Sequence, residues 1–153
     1  DARIMGIDWT ADFTIHKTLH LESKAALLSG WNRELEDYLI YMPPLRFEQG
    51  LKWGFNEKKQ ADHPSYVRIS ALWVLQQKQA PVTDYAPPPA GFVRLDAELF
   101  HTLMWGKQRL EFGVSVSNLL NTEYREYLNR FRYFSAEPGR NLSLRLKVPF
   151  NFT

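Results

Sequence analysis

Ten consecutive residues, 124–133, read YREYLNRFRY. They carry the rings of Tyr124, Tyr127, Phe131 and Tyr133 beside the guanidinium groups of Arg125, Arg130 and Arg132. Guanidinium planes set against aromatic faces suit an anionic or planar ligand. The same residue types are enriched at protein interfaces. This segment is therefore the candidate ligand or partner surface. The plainer alternative is a solvated loop that packs on its neighbours. Asp96 and Glu98, two residues apart, share one face of a strand. Paired carboxylates can do acid–base work, but on a wet strand face they are expected to meet water or a packed partner. His16, His20, His63 and His101 are scattered, with no metal-ligand spacing. No glycine-rich phosphate loop or nucleophile elbow occurs. The sequence predicts no catalytic residue, no cofactor and no metal site.

Composition narrows the field further. The 153 residues carry 19 Lys and Arg against 17 Asp and Glu. Nothing in that balance marks a nucleic-acid surface. Cysteine is absent, which excludes disulfide frameworks, thiolate metal sites and cysteine nucleophiles, and suits an oxidising compartment. Mean hydropathy is −0.39, and no apolar run is long enough for a transmembrane helix. A β-barrel wall is a different matter, because half of each of its strands faces water. Five Trp, seven Tyr and ten Phe suit strands and membrane–water boundaries alike.

The elements that must position these residues are strands. In residues 141–152, Leu142, Leu144, Leu146, Val148, Phe150 and Phe152 alternate with Asn141, Ser143, Arg145, Lys147, Pro149 and Asn151. Such a strand has one apolar face and one wet face. The same rhythm predicts strands over residues 3–15, 19–32, 46–56, 66–77, 92–101 and 108–118. Most are long enough to cross a bilayer at a tilt. The connections after the first, third and fifth strands are the shorter set. Those at 33–45, 78–91 and 119–140 are longer, and the first two are marked by Pro43-Pro44 and by four prolines. Short turns at one rim and long loops at the other are the habit of outer-membrane barrels.

A soluble sandwich or small barrel also alternates apolar with polar residues. Strand length favours the membrane reading. So do glycine and serine among the charges of the wet faces, and Trp9, Trp31, Trp53 and Trp73 on the apolar ones. Bacterial barrels of this kind have even strand number, and an open edge in lipid strands its amides. Seven strands therefore call for others. The chain also opens, at Asp1-Ala2-Arg3, almost directly into a strand with no signal peptide ahead of it. It is expected to be a segment of a larger protein.

Four motifs carry a family resemblance. "FGVSVSNLLNTEY" (112–124) contains Asn118, Leu119 and Asn121 at a strand end and closes on Tyr124. "EPGRNLSLRLKVPF" (137–150) runs through Gly139, Arg140 and Asn141 into the last strand. "YMPPLRFEQGLKW" (41–53) holds Pro43 and Pro44 before an arginine and a strand, and "DARIMGIDW" opens the chain. In this order they resemble the C-terminal part of the barrel of a TonB-dependent outer-membrane receptor, and the likeness spans nearly the whole chain. The closing Asn-Phe-Thr departs from the aromatic terminus usual in that family. The resemblance implies an all-β, antiparallel up-and-down transmembrane barrel, of which this chain forms about seven strands, the last of a roughly 22-stranded barrel. It implies import of a scarce nutrient such as a ferric siderophore, haem, cobalamin or glycan across the bacterial outer membrane. It also implies outer-membrane lipid, the rest of the barrel, a plug, and a TonB system engaged through N-terminal parts absent here; no nucleic acid and no enzyme activity are implied. Leu142, Leu144, Leu146, Val148 and Phe150 are then lipid-facing. Gly139 is expected to let the chain turn from loop to strand through unusual backbone angles, and Asn118 and Asn121 to favour the turn that leaves residues 108–118. A passive porin-like channel and a soluble all-β binding module are the alternatives.

Overall fold

A computed structural model describes residues 1–55, 65–106 and 108–148. Expectations for Asn56, His63, Lys107, Pro149, Phe150, Asn151 and Phe152 lie outside the described residues. Among those described, eight strands form one antiparallel sheet. They are β1 (Ala2–His16), β2 (Leu19–Asn32), β3 (Asp37–Tyr38), β4 (Arg46–Gly54), β5 (Tyr66–Val74), β6 (Phe92–Trp105), β7 (Gln108–Ser117) and β8 (Asn141–Lys147). The long strands pair in chain order, and the short β3 sits beside β2. β1 and β8 each keep one edge without a strand partner among the described residues.

Register decides what the alternation means. Residues paired across a ladder point to the same side of the sheet. Phe13, Leu21, Leu51, Ile69, Ala97, Val116 and Leu142 form one continuous row across all seven long strands. Leu19, Trp53, Val67, Leu99, Val114 and Leu144 form the next such row. Between them, on the opposite face, runs Thr14, His20, Lys52, Arg68, Glu98, Ser115 and Ser143. A one-residue slip in any ladder would turn that strand's leucines to the polar side. None has occurred. The apolar sets of seven strands lie on one side.

That side is bare. Leu142, Leu144 and Leu146 are 63, 70 and 69% exposed, and no second sheet packs on them among the described residues. The buried apolar side chains of the described chain are Val74, Phe92 and Tyr127. Val74 and Phe92 share a row with Arg46, so they lie on the polar side. The small core of this structure is on the face the charges occupy.

Several boundaries differ from the sequence reading. β5 stops at Val74 rather than running on to residue 77, because the chain opposite it turns to Pro43 and Pro44, which have no N–H to donate. Gln77 instead donates its Nε2 to the carbonyls of Met42 at 2.8 Å and Pro43 at 3.3 Å. β6 runs four residues past its expected end, and Gly106, directly after it, has a φ of +62°. Trp105 and Gln108 face each other across it. The connection read over 119–140 contains one 3-10 turn (Arg130–Tyr133), capped by the Asn129 side chain accepting from the Phe131 amide.

Candidate functional site

The up-and-down order sends the connections 33–45, 75–91 and 118–140 to the same end of the sheet. The last is fixed at its root. Asn118 and Asn121 both sit in the left-handed region, at φ +52° and +54°, where asparagine is tolerated better than most residues. Asn118 is 1% exposed. Its side chain accepts from the Thr122 amide and donates to the Thr122 carbonyl, each at 2.9 Å, while its own amide donates to Asp96. The amide of Leu119 donates to the carbonyl of Leu95. Asn121 Oδ1 accepts from the Arg140 amide at 2.9 Å and lies 2.6 Å from where a Cβ on Gly139 would stand. This corrects the expected reason for Gly139. It is there because the Asn121 carboxamide fills the space of a side chain, and its φ is not positive.

From that root the loop bends over the polar face. Tyr124 lays its ring on Phe92 at 4.1 Å between centroids and accepts, through its hydroxyl, a 3.3 Å hydrogen bond from Arg94. Glu126 takes a two-pronged contact from Arg46 Nη2, at 3.0 and 3.3 Å. Beyond these, the loop meets residues 75–91 at one carboxylate. Asp84 accepts from Arg132 Nη2 at 2.7 and 2.8 Å, from the Tyr127 hydroxyl at 2.9 Å and from the Tyr133 hydroxyl at 3.1 Å. The Arg132 guanidinium also lies 4.1 Å from the Tyr127 ring centre and 4.7 Å from that of Tyr133, and donates to the Tyr127 carbonyl. Arg132 and Asp84 side chains are 2% and 4% exposed.

The electrostatics follow from that geometry. Burial pushes the Asp84 carboxyl up. The hydrogen bonds from Arg132, Tyr127 and Tyr133, with the Arg132 charge, outweigh it and hold the group below the usual carboxylate range. Burial raises the Tyr127 hydroxyl, and donation to the Asp84 carboxylate raises it further against the pull of Arg132. The cluster is thus an ion pair with neutral phenols donating into it. It has the composition of a structural joint and lacks the free base or nucleophile that catalysis needs.

Lower on the polar face the charges are paired along the wall. Arg68 reaches across Gly50 to Glu22 at 2.8 Å and Glu48 at 2.7 Å. A Cβ at position 50 would lie 2.9 Å from its guanidinium, so glycine gives the arginine its path. Arg94 pairs with Asp96, and Glu98 accepts from the Tyr66 hydroxyl. Asp96 and Glu98 are therefore both engaged, and not a free acid–base pair. Beneath Glu126, an open cleft of about 420 Å³ is lined by Lys24, Arg46, Glu48, Leu72 and Arg94 among others. His101 pairs with Ser65 at 2.8 Å and His20 faces Asp12 at 3.5 Å. Among the described residues no cluster of metal-ligating side chains forms.

The structure divides the 124–133 segment. Tyr124, Tyr127, Arg132 and Tyr133 are turned inward, and Arg125 donates to the Arg132 carbonyl. Arg130, 6.0 Å from the Tyr41 ring, and Phe131, 71% exposed, face out. Pro43 and Pro44 border a cleft with Asp8 and Arg46. Val148 is half-buried just past β8. Sequence reasoning missed Asp84 and Glu126 altogether. The one available signal was a lone acid in a proline-rich loop, which by itself points nowhere.

No family model and no curated protein matches the sequence. Among solved structures, the chain is similar to the copper transporter OprC, with a TM-score of 0.83 and 21% identity. The match covers 97% of this chain and 24% of that one, so the chain spans about a quarter of the length of its structural neighbour. At that identity the likeness establishes a shared fold: an all-β antiparallel sheet of the kind seen in OprC.

Proposed function

We propose that this chain is the C-terminal part of the barrel wall of a TonB-dependent receptor in the bacterial outer membrane, an importer of a scarce nutrient and not an enzyme. The observation that carries the reading is the bare apolar face. Seven strands in register present leucine, isoleucine, valine, phenylalanine and tryptophan on one side, with no second sheet on them among the described residues, and charges on the other. A soluble module would cover such a face, whereas lipid covers it in a barrel. The fold shared with OprC supports the reading, and so do the four motifs. The open edges of β1 and β8 would pair with the remaining strands of a roughly 22-stranded barrel. The polar face would line the lumen against a plug. The cargo stays at the classes the resemblance implies: ferric siderophore, haem, cobalamin or glycan. That OprC transports copper is a statement about OprC.

Uptake of those four cargo classes by cells producing the full-length protein, with and without TonB, tests this reading. Uptake that requires TonB is expected. Equal uptake without it would point to a passive porin-like channel. Arg130 and Phe131 are the outward members of the candidate ligand surface. Substituting both with alanine is expected to weaken binding of whichever cargo is taken up, and unchanged affinity would remove that loop from the site.

A further inference from the structure

The ladders turn the Lys, Arg, Asp and Glu side chains of the described strands to the polar side, with one exception. Arg3 pairs with Trp31, and Trp31 with Tyr38, so these three form a row across β1, β2 and β3 on the apolar side. It is the last apolar-side row of β1 and β2 before the connection 33–45, at the long-loop rim. We infer that Arg3, Trp31 and Tyr38 form a site for the headgroup of a phosphorylated glycolipid in the outer leaflet of the membrane. The inference rests on the reading of the bare face as lipid-facing.

Three observations point to a headgroup. The first is height. At about 3.3 Å per residue and a tilt of about 40°, the stretch from Met5 to Ile15 rises about 25 Å, the height of the apolar band of a barrel. Arg3 then stands about 5 Å beyond that band, at the level of lipid phosphates, where a cation is tolerated. The second is the state of its donors. On the polar face Arg46, Arg68 and Arg94 each meet a carboxylate. Arg3 is exposed, and neither its guanidinium nor the Tyr38 hydroxyl has a partner among the described residues. Arg33 extends the ladder by one step, its amide donating to the Asp1 carbonyl at 2.9 Å. Its guanidinium reaches the Asp1 carboxylate only at 3.4 Å, with both side chains more than half exposed. A second cation thus borders the row.

The third observation is that the row is built. β3 is two residues long and is pinned at both sides: the Leu39 amide donates to the Gly30 carbonyl, and the Val82 amide donates to the Asp37 carboxylate, each at 2.9 Å. Asn32 Oδ1 accepts from the amides of Glu34 and Leu35 and closes the intervening turn. The product is the Tyr38 ring set edge-on against Trp31, 5.0 Å between centroids. Amphipathic rings of this kind sit at headgroup level, and a guanidinium beside them gives phosphate a forked donor. Trp31 is still 39% exposed. Its free ring face suits the C–H side of a sugar, which favours a glycolipid over a simple phospholipid.

The test uses the full-length protein in detergent micelles, with lipid binding read by native mass spectrometry. The probes are a lipid with a bisphosphorylated disaccharide headgroup, its dephosphorylated form, and phosphatidylglycerol. The first is expected to bind most tightly. Arg3→Gln should weaken its binding roughly fivefold and leave the dephosphorylated form unaffected. Tyr38→Phe should weaken it roughly threefold, and decides the matter if the Arg3 variant does not accumulate. Lys24→Gln, which removes a cation from the opposite face of β2, should change nothing. Binding unchanged in both rim variants, an equal loss in Lys24→Gln, or equal binding of phosphatidylglycerol overturns the site and leaves the barrel standing. Unchanged binding with a less stable barrel in Arg3→Gln would assign Arg3 to a carboxylate of the strand adjoining β1, and overturns the site as well. Full-length protein recovered without detergent as a soluble monomer overturns the barrel reading and the site with it.

Discussion

Arg68 and Arg132 bind carboxylates in two different ways. Arg68 stands on β5 and spans to Glu22 on β2 and Glu48 on β4, with the side chain 21% exposed. Arg132 stands in a loop and is sealed with Asp84, at 2 and 4% exposed. The first pair of contacts follows from register. Once β2, β4 and β5 align, the three residues cluster around Gly50, and the glycine leaves room for the span. The second follows from how two loops happen to close on each other, which no ladder dictates. A wall contact is repeated by its neighbours and shares its burden with them. A loop contact of this sort stands alone, so its loss is felt more.

The sharpest way to break the comparison is at the sealed pair. Arg132→Ala leaves the Asp84 carboxylate buried with its counter-charge gone, at a cost of about 3–5 kcal/mol. The cost should be local, read as loss of hydrogen-exchange protection in residues 118–140 with the ladders of β4 to β7 unchanged. Next is the bare face. Leu144→Arg should cost about 2–4 kcal/mol if it sits near the bilayer midplane, whereas Ser143→Arg, one residue earlier and facing the polar side, should be mild. Measuring unfolding of the full-length barrel in lipid with each substitution checks this, and equal tolerance of both would remove the assignment of faces. On the wall, Arg68→Ala should cost about 1 kcal/mol, since Glu22 and Glu48 are partly exposed and water can take over. A loss as large as that at Arg132 would mean the two arginines are not different in kind.

Acid should act on the loop joint at Asp84. The Asp84 carboxyl is held below its ordinary value, so its contribution is complete above the unfolded carboxylate range near about pH 4 and is lost as pH falls through the lowered value. The groups facing it are Arg132, Tyr127 and Tyr133, none of which titrates in that range. Loss of order within 118–140, read from the ring signals of Tyr127 and Tyr133 by NMR, should therefore set in only at strongly acidic pH. In the Asp84→Asn variant the disorder should already be present at neutral pH.

Much of the fold could be read directly. The alternation read over residues 141–152 set the start of β8, which ends at Lys147, β2 has the bounds its pattern predicts, and the apolar faces of the remaining long strands fell on one side as their patterns required. Errors gathered where a partner chain ends a ladder, as at Val74 opposite the Pro43-Pro44 turn, or extends one, as at Trp105. The candidate site was only half legible. The 124–133 segment was recognised by its arginines and rings, but composition cannot say which of them turn inward. Arg130 and Phe131 face out, while Arg132, of the same residue type two positions from Arg130, is among the most buried residues described.

What the sequence determined by itself is the period of two. That rhythm is local, since successive side chains of an extended backbone point to opposite sides, and so it fixes the wet and apolar faces and, through them, the register. Only the tertiary structure decided that Asp84 meets Arg132, that Glu126 meets Arg46, and that Gly139 makes room for Asn121. Those contacts join residues 18 to 80 positions apart through irregular backbone. No repeating rule links such positions, and the pairing is set by how the loops close over the sheet.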